Sequence, residues 1–169
     1  SPYASHSANE SPITTTVSNN IFTEDTYGMF LYAGGTYIFA NIQNNSFVTD
    51  TYGLGTVTSG PSGFTSFPIL QSNLFAHNSG FPIYLGGSAF PTYSGNTFTA
   101  NTHPAIALGG WFNDSGTWPI INSMPYVIKD DVLINAAAGV TVPASEVFKF
   151  DLDRNMHVYG QLNMQSTGV

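Results

Sequence analysis

Two aspartates, Asp25 and Asp50, occupy the same place in two copies of Asp-Thr-Tyr-Gly, 25 residues apart. A pair of carboxyls ~5–5.5 Å apart supports retaining glycoside hydrolysis, and ~6.5–9.5 Å apart the inverting kind. Like charges at the shorter spacing raise one pKa, which is how an acid is made. Asn replaces Asp at the equivalent place in the next two copies, Asn78 and Asn101, and that marks a turn position. The leading reading therefore has no catalytic residue, and Asp25 with Asp50 is the alternative. Asp151-x-Asp153-x-Asn155 puts three oxygen donors on alternate residues, like the opening of a calcium loop. Met156 stands where that loop needs Gly and Leu162 where it needs Glu, so a solvated turn is expected. No cofactor is expected, with calcium the alternative. Tyr27 and Tyr52 repeat at one position, and Trp111 and Trp118 flank Asn113-Asp114-Ser115-Gly116. Facing outward, such rings could stack on sugars; facing strand edges, they would only cover them. His6, His77, His103 and His157 are too scattered to suggest a transition-metal site. No phosphate-binding glycine loop or nucleophile elbow is present.

The charge pattern removes several partners. The 169 residues hold Lys+Arg 3 and Asp+Glu 10, a net charge of −7. Only 8% are charged, against ~25% in ordinary soluble domains. Lys129, Lys149 and Arg154 are the only basic residues, so the first 128 positions carry none. No surface could neutralise a run of phosphates, which excludes nucleic acid and anionic lipid as partners. With no cysteine there is no disulfide, thiolate metal site or thiol catalysis. No run of ~18 apolar residues exists to insert in a membrane. A hydrophobic fraction of 42% and an aromatic fraction of 14% rule out global disorder. The chain opens Ser1-Pro2-Tyr3, without Met or a signal segment, and reads as a mature or excised piece. Its Gly, Ser, Thr and Asn content with little Lys leads to an extracellular or cell-surface expectation.

What must position these residues is a repeat. Asn20-Ile21-Phe22-Thr23-Glu24-Asp25-Thr26 recurs as Asn45–Thr51, Asn73–Ser79 and Asn96–Thr102. The shared pattern is N-x-F-x-x-[DN]-[ST], with Asn spacings of 25, 28 and 23. Each copy continues with an apolar run (Met29–Leu31, Leu54–Val57, Ile83–Leu85, Ala105–Leu108) and then glycines, at Gly34-Gly35, Gly60, Gly86-Gly87 and Gly109-Gly110. A third run leads back to the next Asn: Tyr37–Phe39, Phe64–Phe67, Pro91–Tyr93 and Pro119–Ile121. Three strands of 3–5 residues per unit, without helical periodicity, describe one coil of a parallel β-helix. Stacked coils set equivalent residues ~4.8 Å apart. Asn20, Asn45, Asn73 and Asn96 then form a corner ladder, taking the left-handed turn that Asn and Asp tolerate. Phe22, Phe47, Phe75 and Phe98 form an inward aromatic stack, and Asp25, Asp50, Asn78 and Asn101 a second ladder.

Beyond residue 124 the pattern changes to strands at Pro125–Ile128, Asp131–Ile134, Ala138–Pro143, Val147–Phe150 and His157–Asn163. Residues 138–163 resemble, in order, the A-G-V-T-hydrophobic, V-x-K-F and V-x-G-x-L-N segments of right-handed parallel β-helix repeats. Those repeats belong to large bacterial secreted and surface proteins of the pectate-lyase-like superfamily. Ser145 stands where they usually have Gly, and Thr167-Gly168 reverses their closing pair. The resemblance implies the fold over roughly residues 12–167, and it spans lyases, glycosidases, tailspikes, adhesins and structural stalks. Uronate lyases of that group use calcium with Arg or Lys, and the repeat coils have neither base. The expectation is an all-β, right-handed parallel β-helix of about five to six coils. Residues 1–11 are a lead-in or truncated coil, and 12–169 are a single domain. It would serve as a non-enzymatic structural or adhesive module, binding polysaccharide or cell-surface glycan through its aromatics. The alternative is a polysaccharide-active enzyme using Asp25 and Asp50. Solenoids need capped ends, so end-to-end stacking with other β-helix segments is a further expectation.

Overall fold

Short runs of β-branched and aromatic residues, each closed by Asn, Asp, Gly or Ser, favour strands joined at sharp corners. The computed structural model describes residues 11–58 and 64–165, and every regular element in them is a strand. His6, nearly all of the 1–11 lead-in, Gly60 and the Thr167-Gly168 pair lie outside the described residues. The strands form an all-parallel β-solenoid of about six turns.

The first sheet runs β1 (Ile13–Ser18), β4 (Ile38–Gln43), β7 (Ile69–Gln71), β10 (Thr92–Ser94). The second runs β2 (Ile21–Thr23), β5 (Ser46–Val48), β8 (Leu74–Ala76), β11 (Thr97–Thr99). The third and largest runs β3 (Tyr27–Ala33), β6 (Tyr52–Thr58), β9 (Ile83–Gly86), β12 (Ile106–Phe112), β14 (Tyr126–Ile134) and β16 (Phe148–Phe150), with β17 (Met156–Val158) also on β14. A small fourth sheet joins β13 (Gly116–Thr117), β15 (Gly139–Val142) and β18 (Gln161–Met164).

The register aligns Phe22, Phe47, Phe75 and Phe98 across the second sheet. Their rings stack at 4.9, 4.9 and 5.1 Å, with interplanar angles of 7°, 11° and 6°. Alternation sends Ile38, Ala40 and Ile42 of β4, and Tyr126, Ile128, Val132 and Ile134 of β14, into the same core. The Asn ladder is present as well. Asn20 N donates to Asn45 Oδ1 (3.0 Å), Asn45 N to Asn73 Oδ1 (2.9 Å) and Asn73 N to Asn96 Oδ1 (2.9 Å).

One detail of the corners differs from expectation. The left-handed conformation falls on the residue before each ladder position, at Asn19, Asn44, Ser72 and Gly95, and again at Glu24, Thr49, His77 and Ala100. The preceding residue makes the bend, which leaves the ladder side chain free to reach along the solenoid axis. A third corner ladder also forms, with Asn113 N on Ser88 Oγ (2.6 Å) and Asn135 Nδ2 on Asn113 Oδ1. The apolar runs at Phe64–Phe67 and Pro119–Ile121 are not strands: only Ser66 bridges, and the strands fall at β7 and β13. Pro125–Ile128 and Asp131–Ile134 prove to be one strand, β14, whose register against β12 slips between Leu108 and Gly110.

Candidate functional site

The outward face of the third sheet is where side chains gather. One row runs in register through Phe30, Gly55, Tyr84, Ala107, Val127 and Lys149. Glycine in such a row lets a neighbouring ring lie against backbone. A Cβ on Gly55 would sit 2.5 Å from Tyr27 Cδ1 and 2.9 Å from Phe30 Cδ2. A Cβ on Gly86 would sit 2.6 Å from Tyr84 Cε1, and one on Gly109 2.8 Å from Tyr84 Oη. The rings therefore lie across a glycine floor. Beside them runs a column of one ring per coil: Tyr27 on Tyr52 at 4.9 Å, Tyr52 on Phe81 at 6.4 Å, and Phe81 on His103 at 4.9 Å, all close to parallel. The column opens into a groove of about 420 Å³ lined by Tyr52, Phe81, His103, Val127, Lys129 and Lys149. That volume suits a small ligand or one segment of a chain.

Charge is concentrated at the far end of this groove. The slip in β14 makes Lys129, Asp130 and Asp131 bulge opposite Gly109. In the next coil β16 and β17 pair with the two halves of β14, so the loop 151–155 crosses that bulge. Lys129 Nζ meets Asp151 Oδ2 at 2.6 Å, Arg154 approaches Asp130 at 3.9 Å, and Asn155 N donates to Asp131 Oδ1 at 3.0 Å. Tyr84 Oη donates to Asp130 Oδ2 at 2.9 Å. Lys129 and the Leu152 amide hold the Asp151 carboxyl below its usual range, while Asp151 pushes the Lys129 ammonium up. Burial, then Asp130, pushes the Tyr84 hydroxyl far up. All three basic residues of the chain stand here. Among the described residues, Lys149 makes no ion pair.

The structure brings together some of the expected residues and separates others. Tyr27 and Tyr52 share the column. Trp111 is half-buried further along β12. Trp118 corrects the outward-facing expectation: it is fully buried, edge-on to Phe112 at 5.0 Å and beside Tyr126 and Phe148. After the two-residue β13 the chain has few ladder bonds to hold it at the surface, and the large ring fills the interior instead. Asp25 is exposed, while Asp50 is fully buried with its Oδ1 on the Asp25 amide at 3.0 Å. A buried carboxyl offers no cleft in which a sugar could lie between the two acids. Asp151 is tied to Lys129 and Leu152, and Asp153 turns the exposed loop with a φ of 58°. Among the described residues no group of three His, Cys, Asp or Glu is arranged to hold a metal ion. Sequence reasoning missed Phe30, Phe81, Tyr84, His103 and Lys149. The available signal was Gly55, Gly86 and Gly109 inside apolar runs, since glycine within a strand marks close approach. Comparison with known proteins gives no match to any family model, curated protein or solved structure.

Proposed function

We propose that the chain is a non-enzymatic solenoid module that binds a saccharide on the aromatic face of its largest sheet. The observation that carries this reading is the glycine-floored array. Near-parallel rings stack in a column beside a groove about 420 Å³ in volume, with Lys129 and Lys149 in its lining. Sugar rings present flat patches of C–H beside hydroxyls. Such a ligand matches aromatic faces next to hydrogen-bonding side chains better than a purely apolar one does. The rigidity of stacked coils means little ordering is needed on binding, which favours affinity. An extracellular or cell-surface setting goes with the Lys-poor composition. Assignment to the pectate-lyase-like type rests on the coil pattern and on the order of motifs over residues 138–163. End-to-end stacking with another β-helix segment is supported by the edges: among the described residues, β1, β2 and β3 each pair on one side only.

A glycan array followed by calorimetric titration tests the proposal. Wild type should bind a defined set of oligosaccharides, and Tyr52→Ala should lose affinity about tenfold, the scale of one good ring contact, ~1.4 kcal/mol. Circular dichroism must show the variant folded. Absence of binding across the array, or binding unchanged in folded Tyr52→Ala, overturns the proposal. Release of products from a polysaccharide would replace it with the enzymatic alternative.

A further inference from the structure

The second corner ladder contains an anomaly at its centre. In coils three and four the rung is an amide. Asn78 Nδ2 donates to Phe47 O (3.2 Å) and to Asn101 Oδ1 (2.9 Å), while Asn101 Nδ2 donates to Phe75 O (2.9 Å). Each Oδ1 meanwhile accepts the backbone N–H of the rung before it: Asp25 N on Asp50, Asp50 N on Asn78, Asn78 N on Asn101. Asp50 follows this pattern with one of its oxygens. Its other oxygen, Oδ2, sits where Asn78 and Asn101 hold an NH2 group, and it is buried without a hydrogen-bond partner. The register that places Phe47 O and Asn101 Oδ1 against Asn78 places Phe22 O and Asn78 Oδ1 against Asp50. Both are acceptors. A carboxylate oxygen between two acceptors has nothing to accept, whereas a carboxylic acid O–H has a donor to offer. Gly28 closes the remaining side: a Cβ there would lie 2.5 Å from Asp50 Oδ2.

We propose that Asp50 is carried as the neutral acid, its Oδ2–H replacing the amide N–H of the neighbouring rungs, so that its ionisation is a pH-dependent weakening of the solenoid between its first coil and the rest. The charged group facing it is Asp25 on the coil before, flanked by Glu24. On the coil after, Asn78 is neutral and flanked by the exposed His77. Tyr27 and Tyr52 stand two residues beyond the rungs, at the start of β3 and β6. No cation is among these neighbours. Burial pushes the Asp50 carboxyl up and the Asp25 charge adds to this, against the downward pull of the Asp25 amide. A folded-state pKa above the unfolded value near ~3.9 means the folded chain binds the extra proton. The stabilisation is complete below the unfolded pKa and is lost as pH rises through the folded one.

Two measurements decide this. The side-chain carbonyl carbon of Asp50, followed by NMR in the full chain, should titrate above the ordinary aspartate midpoint. A midpoint at or below it overturns the proposal. Asp50→Asn supplies the missing donor permanently. It should melt about 2–4 °C or more above wild type at pH 7, the scale of one rung in a chain this long, with the two curves converging as pH falls. The partly buried Glu146 carboxyl is also raised and is common to both proteins, so the difference between them isolates Asp50. A variant that melts at or below wild type at pH 7 also overturns the proposal.

Discussion

Asn45 and Asn73 show why the corners are built from amides. Asn45 is buried, accepts the Asn20 amide on Oδ1, and donates through Nδ2 to Val17 O, Gln43 O and Asn73 Oδ1. One neutral side chain thereby serves backbone groups of its own coil and of the coil before. A like-charged ladder at ~4.8 Å spacing would repel instead. Replacing Asn73 by Ala orphans the Asn45 N–H and the Ile42 carbonyl, both bonded to it now. At ~1–3 kcal/mol for each buried unsatisfied group, the loss should be about 3 kcal/mol in urea unfolding. A loss under about 1 kcal/mol would mean water replaces the amide. Asn73→Asp extends the logic of Asp50: it should destabilise at neutral pH and recover in acid.

At the level of strands and corners, two glycines separate sterics from backbone freedom. Gly53 has no positive φ, yet an added Cβ would lie 2.8 Å from both Phe75 Cδ1 and Pro82 O. Gly35 has nothing within 4 Å of that position. Gly53→Ala should cost about 1–3 kcal/mol by overpacking, and Gly35→Ala should stay within about 0.5 kcal/mol of wild type. Equal effects would show that the aromatic stack yields. The corners give the opposite case. Ala100 is exposed with a φ of 52°, a conformation glycine adopts without strain. Ala100→Gly should therefore stabilise by about 0.5–1 kcal/mol, the relieved strain exceeding the added chain entropy. A destabilising result would locate that corner's rigidity in the unfolded chain's entropy rather than in strain.

For the molecule as a whole, every strand pairing joins residues about one coil apart in sequence, so stability is a sum over coils and the interfaces between them. Coils in the middle have two interfaces; those at the ends have fewer. Hydrogen-exchange protection should accordingly peak in β5, β6, β8, β9 and β12 and fall toward β1, β2 and β18. Uniform protection across the chain would mean that it unfolds as one unit instead. The same one-dimensional architecture explains the low charge content. Polar work falls to stacked amides and backbone, and the ion pairs among the described residues gather at the bulge where β14 and the 151–155 loop leave the regular stack.

The repeat made the coil, the stacked Phe22–Phe47–Phe75–Phe98 column and the two corner ladders legible from sequence. A fixed period states which residues become neighbours, and stacking demands only that. The single N-x-F motif could not show which corner residue bends: at the first corner Asn stands at both bend and rung in Asn19-Asn20 and Asn44-Asn45, and at the second the bends Glu24, Thr49, His77 and Ala100 share no turn-forming residue type. Nor could it show that Trp118 turns inward, since the N-x-F motif does not recur there and the adjoining strand β13 is only two residues long, so the buried volume decides. The aromatic face depended on tertiary structure for a related reason. Phe81 lies eight residues after Asn73, whereas Tyr27, Tyr52 and His103 each lie seven after their Asn, and only the actual length of that corner brings Phe81 onto the column. Periodicity determines stacking along the axis; the shape of each turn around the axis is decided by packing.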